Sequence, residues 1–197
     1  MRIAVIPVLV GSFYLDDPIM GSHIAFVTFA LASITDFFDG YLARKHNVQS
    51  DLGTLLDPIA DKFLVLASLL MLIAIGTLSG FNVVAAIIIL GREILVSGLR
   101  EFLANSSIKL PVTQLAKWKT TIQMVAIGFL IAGPAGPSLI PGSIVIGIVG
   151  LWAAAIITVI TGYQYVALGI LKMNGPDTPA EAPIVTETTA TDGADDS

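Results

Sequence analysis

The chain has 197 residues, of which 55% are hydrophobic and only 13% are charged. Soluble domains carry about 25% charged residues, so this composition excludes an ordinary soluble protein and favours a membrane protein. The absence of cysteine excludes disulfides, zinc–thiolate sites and thiol nucleophiles.

Acidic residues are concentrated at the C-terminal end of the chain. Residues 174–197 contain six Asp and Glu and no Lys or Arg, whereas the remainder is close to neutral. This end is rich in Thr, Ala, Pro and Asp and has no apolar periodicity, which is typical of a disordered segment. We therefore predict two regions, a membrane domain of residues 1–173 and an acidic disordered tail of residues 174–197.

Six apolar segments predict an all-α bundle of six transmembrane helices. A spanning helix needs about 20 mostly apolar residues, and the candidate segments are residues 1–14, 23–42, 55–78, 81–103, 118–132 and 143–171. The first segment falls short of that length, so we expect a shortened first helix. The chain shows no convincing internal repeat.

The positive charges lie at alternate connections of this predicted bundle. Residues 15–22, 77–81 and 133–142 contain no Lys or Arg, whereas the other connections do. Because Lys and Arg favour the cytoplasmic side of a membrane, we predict a multi-pass protein of the cell (inner) membrane. Both termini are then cytoplasmic.

The residues that suggest chemistry lie between positions 36 and 61. Eight of them follow a regular spacing, namely Asp36, Asp39, Gly40, Ala43, Arg44, Gly53, Asp57 and Asp61. The first four are three, four and seven positions apart, and the last two are four apart, so each group shares one helix face. A short loop joins the two predicted helices. We therefore expect four carboxylates to converge near the cytoplasmic end of the bundle.

Carboxylates inside a membrane need a compensating charge, because burying one costs about 3 kcal/mol. Oxygen ligands without His or Cys suit hard ions such as Mg²⁺, Mn²⁺ or Ca²⁺, which also bind phosphates. Gly40, Ala43 and Gly53 would let a base or a diphosphate approach the backbone closely. Any one of these positions could instead be a helix-end acid or a small packing residue. The spacing of the whole set favours a phosphate-handling site.

This spacing is similar to the signature of the CDP-alcohol phosphatidyltransferase family, D-x-x-D-G-x-x-A-R, eight residues, then G-x-x-x-D-x-x-x-D. The resemblance implies a homodimeric six-helix membrane enzyme that uses a CDP-linked lipid such as CDP-diacylglycerol. It implies divalent ions (Mg²⁺ or Mn²⁺, two or in some views one) bound by Asp36, Asp39, Asp57 and Asp61. It also implies that Asp61 is the general base. The CDP-lipid would contact Asp36, Asp39, Gly40, Ala43, Arg44, Gly53 and Asp57.

A second group of charged residues lies in the next two predicted helices. Arg92 and Arg100 are eight positions apart, and we expect them to share a face. Cations of this density near a metal site suggest a second phosphate, carried by the acceptor. Lys117 and Lys119 could instead mark the cytoplasmic interface. Arg92 lies within an apolar helix and fits that explanation poorly, and Glu93 could be its partner.

The pattern R-E-x-x-x-x-G-L-R followed by K-x-K-T-x-x-Q-M resembles the glycerophosphate-using branch, the phosphatidylglycerophosphate synthases. The resemblance implies sn-glycerol 3-phosphate as acceptor, with its phosphate bound by Arg92, Arg100, Lys117 and Lys119. It implies supporting roles for Glu93, Thr120 and Gln123. We expect Lys119, Thr120 and Gln123 to share a face of the fifth helix.

Two kinds of alternative function stay open at this point. The same chemistry could use inositol phosphate, serine or phosphatidylglycerol as acceptor. A divalent-cation or anion transporter could also place carboxylates in the membrane, although it would predict broken helices in two related halves. The expected partners are CDP-diacylglycerol, the acceptor, membrane lipids and a second copy of the chain, and no nucleic acid.

Overall fold

A computed structural model describes the backbone of residues 2–46, 51–105, 114–135 and 141–173. It describes the side chains of residues 4–35, 59–60, 62–103, 115, 118–134 and 141–170. Within these ranges the chain is helical apart from short turns and contains no strand, so the all-α prediction is confirmed. The helices are α1 (Arg2–Ser12), α2 (Pro18–His46), α3 (Asp51–Ala74), α4 (Asn82–Asn105), α5 (Gln114–Ala132) and α6 (Ser143–Met173), and a 3-10 turn, Gly133–Ala135, follows α5.

Three of these helices are long and apolar enough to cross a membrane. Within the described part of the chain they contain the segments Pro18–Thr35, Asn82–Leu103 and Ser143–Ile170. Shorter apolar segments, Lys62–Ala74 and Trp118–Ala132, lie in α3 and α5, and α1 has only 11 residues. The chain is thus a helical membrane protein, and the crossing by all six helices stays a prediction.

Several helix ends differ from the predicted ones, most notably at the two ends of α3. The second helix continues to His46 and the third begins at Asp51, so only residues 47–50 separate them. The prediction followed the apolar run alone, whereas basic residues near a helix C-terminus and an acid at an N-terminus favour longer helices. At the other end of α3, Gly76 has φ 77° and its amide donates to the Ile73 carbonyl at 3.1 Å. This left-handed residue ends α3 at Ala74, earlier than expected.

Helices α4 and α6 pack side by side and run in the same direction. At one end Trp152 Nε1 donates to Asn82 Oδ1 at 3.0 Å, across 70 positions. In the middle, Arg92 donates to Thr161 across 69 positions. This nearly constant offset shows that the two helices are parallel and stay side by side over several turns.

Helix α5 packs antiparallel to α6 through small residues. A Cβ atom added at Gly150 would lie 3.0 Å from the Ala126 Cβ, and one added at Gly147 would lie 2.6 Å from Leu130 Cγ. The partner numbers rise on one helix as they fall on the other, which is the antiparallel arrangement. Small residues of this kind let two membrane helices approach closely.

Replacing Gly147 with alanine should destabilise the α5–α6 contact. The new methyl would also meet the Leu130 amide nitrogen at 3.0 Å, and a backbone atom has little freedom to move away. We expect a loss of about 1–3 kcal/mol, the usual cost of overpacking, seen as a lower unfolding temperature in detergent. Gly11→Ala is the matched control, because nothing lies within 4 Å of the added methyl. Equal unfolding temperatures for the two variants would contradict this packing.

The connections that lack positive charge meet at one end of the bundle. A cavity of about 260 Å³ is lined by residues from three of them, including Leu15, Thr77 and Pro134. The helices therefore alternate in direction, as a multi-pass chain with short connections requires. The residues of the predicted site lie toward the opposite end.

Candidate active site

The positions of the aspartate signature lie on two helices that follow each other in the chain. Five are on α2 and three on α3: Asp36, Asp39, Gly40, Ala43 and Arg44, then Gly53, Asp57 and Asp61. Helical backbone at these positions agrees with the spacing argument. Their side chains lie outside the described residues, so their convergence stays a prediction. Among the described side chains, no group of three or more His, Cys, Asp or Glu could hold a metal ion.

Arg92 lies near the middle of α4, and its side chain is only 12% exposed. One guanidinium nitrogen, Nη2, donates to Thr161 Oγ1 on α6 at 3.2 Å. The guanidinium carbon lies 5.6 Å from the centre of the Tyr165 ring, within the range of a cation–π contact. The other terminal nitrogen, Nη1, lies 4.0 Å from Glu93 Oε1. Arg92 is therefore not a lipid-facing or interfacial residue.

Lys119 enters the same region from α5. It is 1% exposed, and it has the largest side chain among those that are almost completely buried in the described part of the protein. Its ammonium donates to Glu93 Oε1 and forms an ion pair with it. A buried ammonium needs such a partner, because transfer of an uncompensated charge from water costs several kcal/mol. Lys119 is thus a buried residue and not merely a marker of the membrane interface.

The three residues form one charged cluster that joins three helices. Arg92 and Lys119 approach the same atom, Glu93 Oε1, from α4 and α5, and α6 contacts Arg92 through Thr161. Two cations therefore converge on one carboxylate oxygen inside an apolar bundle. Closely spaced cationic donors of this kind are suited to an anion such as a phosphate.

The structure corrects the prediction that Lys119, Thr120 and Gln123 share one face. Lys119 and Gln123 are buried, at 1% and 2% exposure, whereas Thr120 is exposed. The reason is geometric: residues one apart on a helix point about 100° away from each other, and residues four apart point the same way. Gln123 Oε1 is buried and has no hydrogen-bond partner among the described residues.

One predicted acceptor residue, Arg100, is not brought into the charged cluster. Arg100 is exposed and lies eight residues after Arg92, about 12 Å along the helix axis. The expectation that these two arginines share a face is therefore wrong: eight residues leave an angle of about 80° between them. Lys117 lies on α5, and its side chain is outside the described residues.

Sequence reasoning missed three residues of α6 that contact Arg92. They are Thr161 and Tyr165, already described, and Gly162, where an added Cβ would lie 3.0 Å from Arg92 Cγ. Their signal in the sequence is faint: a Thr-Gly pair with a Tyr three residues after the Gly, in a largely apolar helix. Their role becomes visible only in the tertiary structure, where α6 contacts Arg92 of α4 across 69 positions of the chain.

Comparison with known proteins agrees with the residue pattern. The CDP-alcohol phosphatidyltransferase family matches residues 1–169, which includes both halves of the aspartate signature and the charged cluster. The chain therefore belongs to the CDP-alcohol phosphatidyltransferase family, and it is a transferase.

Individual relatives carry a more specific name. A CDP-diacylglycerol–glycerol-3-phosphate 3-phosphatidyltransferase of Rickettsia bellii is 48% identical over 164 residues, 83% of this chain and 88% of its own. A protein of the same name from Haemophilus influenzae is 39% identical over 178 residues, 88% of this chain and 92% of its own. A protein named CDP-diacylglycerol–glycerol-3-phosphate 3-phosphatidyltransferase 2, from Arabidopsis thaliana, is 40% identical over 142 residues, 66% of this chain and 60% of its own.

Proposed function

We propose that this chain transfers the phosphatidyl group of CDP-diacylglycerol to sn-glycerol 3-phosphate. A hydroxyl oxygen of the acceptor attacks the phosphorus that carries the lipid, and a new P–O bond forms. The P–O bond to the cytidylate breaks, the acceptor proton passes to a base, and CMP leaves. The products are phosphatidylglycerophosphate and CMP, which makes this a step of phospholipid biosynthesis.

The observation that carries this proposal is the similarity to relatives named for this reaction. It extends over 83% of the chain at 48% identity, and the chain itself carries every fixed position of the aspartate signature. Specificity for one acceptor depends on a few residues, so the charged cluster supplies the second argument. Two cations that meet at one carboxylate oxygen are suited to an acceptor that carries a phosphate.

The donor set of the signature fits a hard divalent ion. It consists of four carboxylates carried by two helices, without the thiolates or imidazoles that favour softer metals. We assign Mg²⁺ or Mn²⁺, as two ions, to Asp36, Asp39, Asp57 and Asp61. When bound, such ions neutralise the charges of the diphosphate and of the leaving oxygen.

The remaining signature residues would bind the CDP-lipid and move the proton. Gly40, Ala43 and Gly53 leave room for the nucleotide close to the backbone, and the guanidinium of Arg44 would bind a phosphate oxygen. Asp61 would accept the proton of the attacking hydroxyl. Asp36, Asp39 and Asp57 would contact the donor in addition to their role at the metal.

The acceptor site would lie at the charged cluster. Arg92 and Lys119 would bind the phosphate of glycerol 3-phosphate, and Glu93 would hold both cations in place. Gln123, which is buried one turn after Lys119 on α5, would add a polar group to the site. The anion would be attracted from the cytoplasmic surface by Arg100, Lys117 and Thr120.

We also propose the arrangement of the chain in the membrane. All six helices cross the cell (inner) membrane, the active site and both termini are cytoplasmic, and two copies form a homodimer. The orientation is supported by the absence of Lys and Arg from the three connections that meet at one end of the bundle, whereas the homodimer is what the family resemblance implies. Residues 1–173 form this domain, and residues 174–197 form the acidic tail.

The experiment that tests the reaction follows CMP release from purified protein in detergent. The protein receives CDP-diacylglycerol, Mg²⁺ or Mn²⁺, and one of five acceptors: glycerol 3-phosphate, glycerol, inositol phosphate, serine or phosphatidylglycerol. Release with glycerol 3-phosphate that stops without metal would support the proposal, and glycerol, which lacks the phosphate, should be a poor acceptor.

The other outcomes would separate the alternatives. Release with inositol phosphate, serine or phosphatidylglycerol in place of glycerol 3-phosphate would keep the family and overturn the acceptor. If no acceptor gave release from folded protein, ion or anion flux in liposomes without CDP-lipid would test the transporter alternative.

A further inference from the structure

We propose that Thr161, Gly162 and Tyr165 of α6 position the guanidinium of Arg92 for binding the acceptor phosphate. None of them is part of the aspartate signature or of the charged cluster. The proposal rests on the proposed function, because it concerns how the acceptor site of that reaction is built. It makes α6 a determinant of acceptor affinity.

Arg92 needs positioning because its side chain is long and flexible. It lies within the apolar segment Asn82–Leu103 and is only 12% exposed, so its donors depend largely on partners within the protein. Fixing an arginine side chain costs about 2 kcal/mol of rotamer entropy. If contacts within the protein already fix the Arg92 side chain, the acceptor does not have to order the guanidinium when it binds.

Thr161 is a well-fixed acceptor for one end of the guanidinium. It is completely buried, and its Oγ1 lies 2.9 Å from the Ile157 carbonyl, to which the hydroxyl donates. The hydroxyl proton is therefore directed at the α6 backbone. A lone pair of Oγ1 then accepts from Arg92 Nη2 at 3.2 Å.

Tyr165 and Gly162 fix the plane and the stem of the same side chain. The Tyr165 ring, 5% exposed, lies against the guanidinium with 5.6 Å between the guanidinium carbon and the ring centre. At Gly162 the α6 backbone comes so close that an added Cβ would lie 3.0 Å from Arg92 Cγ. Positions 161, 162 and 165 are all buried in the packed side of α6, and each of them approaches Arg92.

These contacts decide which edge of the guanidinium faces Lys119. Because Nη2 is bound to Thr161, Nη1 is directed toward Glu93 Oε1, the atom that also accepts from Lys119. The two cations are thereby held next to each other. A phosphate bound at this place would meet donors from both α4 and α5.

The test compares Thr161→Val and Tyr165→Leu with matched controls on the same helix. Thr158→Val removes a buried hydroxyl that has no hydrogen-bond partner among the described residues. Tyr163→Leu removes a ring that is 76% exposed. For each protein, KM for glycerol 3-phosphate, KM for CDP-diacylglycerol and kcat are measured. The rise in unfolding temperature on adding glycerol 3-phosphate alone gives a second measure of acceptor binding.

We expect Thr161→Val and Tyr165→Leu each to raise KM for glycerol 3-phosphate roughly ten-fold. KM for CDP-diacylglycerol should stay within about two-fold, and the thermal stabilisation by glycerol 3-phosphate should decrease. Tyr165→Phe keeps the ring face and should retain most of the affinity. Thr158→Val and Tyr163→Leu should resemble the unmodified protein.

Equal effects on both KM values would indicate a general structural role and overturn the proposal. So would unchanged acceptor KM in Thr161→Val, or a Tyr165→Phe variant as impaired as Tyr165→Leu. If Tyr165→Leu does not fold, the volume-conserving Thr161→Val decides alone. A failure of the proposed function itself has a different signature: the unmodified protein then releases no CMP with glycerol 3-phosphate.

Discussion

Asp61→Asn should reduce CMP release by a factor of about 10² to 10⁴, the range over which a general base contributes to a reaction. The amide of asparagine has nearly the same shape as the carboxyl group but cannot accept the proton of the attacking hydroxyl. CMP release from CDP-diacylglycerol with glycerol 3-phosphate measures the effect. The protein should still fold, because Asp61 lies within α3 and asparagine is tolerated in helices.

The metal dependence of this variant separates the two roles assigned to Asp61. If Asp61 acts mainly as a base, raising Mn²⁺ to saturation should not restore activity. If it acts mainly as a ligand, high Mn²⁺ should restore most of it. Asp16→Asn, the same change at an exposed residue between α1 and α2, is the control and should keep full activity. A loss below ten-fold in Asp61→Asn would contradict the assignment of the base.

Glu93→Gln should destabilise the protein by about 3 kcal/mol or more, because it removes a carboxylate that accepts from a buried ammonium. Lys119→Met, which replaces the ammonium with an apolar chain, should cost less, since the remaining Glu93 side chain is 22% exposed and lies near Arg92. In Glu93→Gln/Lys119→Met no ammonium is left opposite the amide. This double variant should therefore be more stable than Glu93→Gln alone.

Activity should follow a different order from stability in this series. The double variant lacks one cation of the acceptor site, so its KM for glycerol 3-phosphate should stay raised even where its unfolding temperature recovers. Glu101→Gln makes the same chemical change at an exposed residue of α4 and should alter neither quantity. Unfolding temperatures that do not depend on Glu93 would show that the ion pair does not contribute to stability.

The helices and their order could be predicted from the sequence because both are local properties of the chain. In a membrane each backbone polar group needs a partner within its own segment, so long apolar runs form helices. The end of α3 was harder to predict, because it depends on Gly76 adopting a left-handed conformation rather than on hydropathy. The aspartate spacing is local too, and it identified the family that matches residues 1–169.

Local patterns in the sequence establish the class of protein, the helical segments and the residue types available for phosphate chemistry. Which of the cations meet was decided only by the tertiary structure. Lys119 reaches Glu93 across 26 positions, and Arg92 reaches Thr161 across 69, whereas Arg100, on the same helix as Arg92, is exposed. Such pairings depend on how the helices pack and on their register. At a small residue such as Gly162, the residue that comes close is supplied by the facing helix and not by neighbours in the chain.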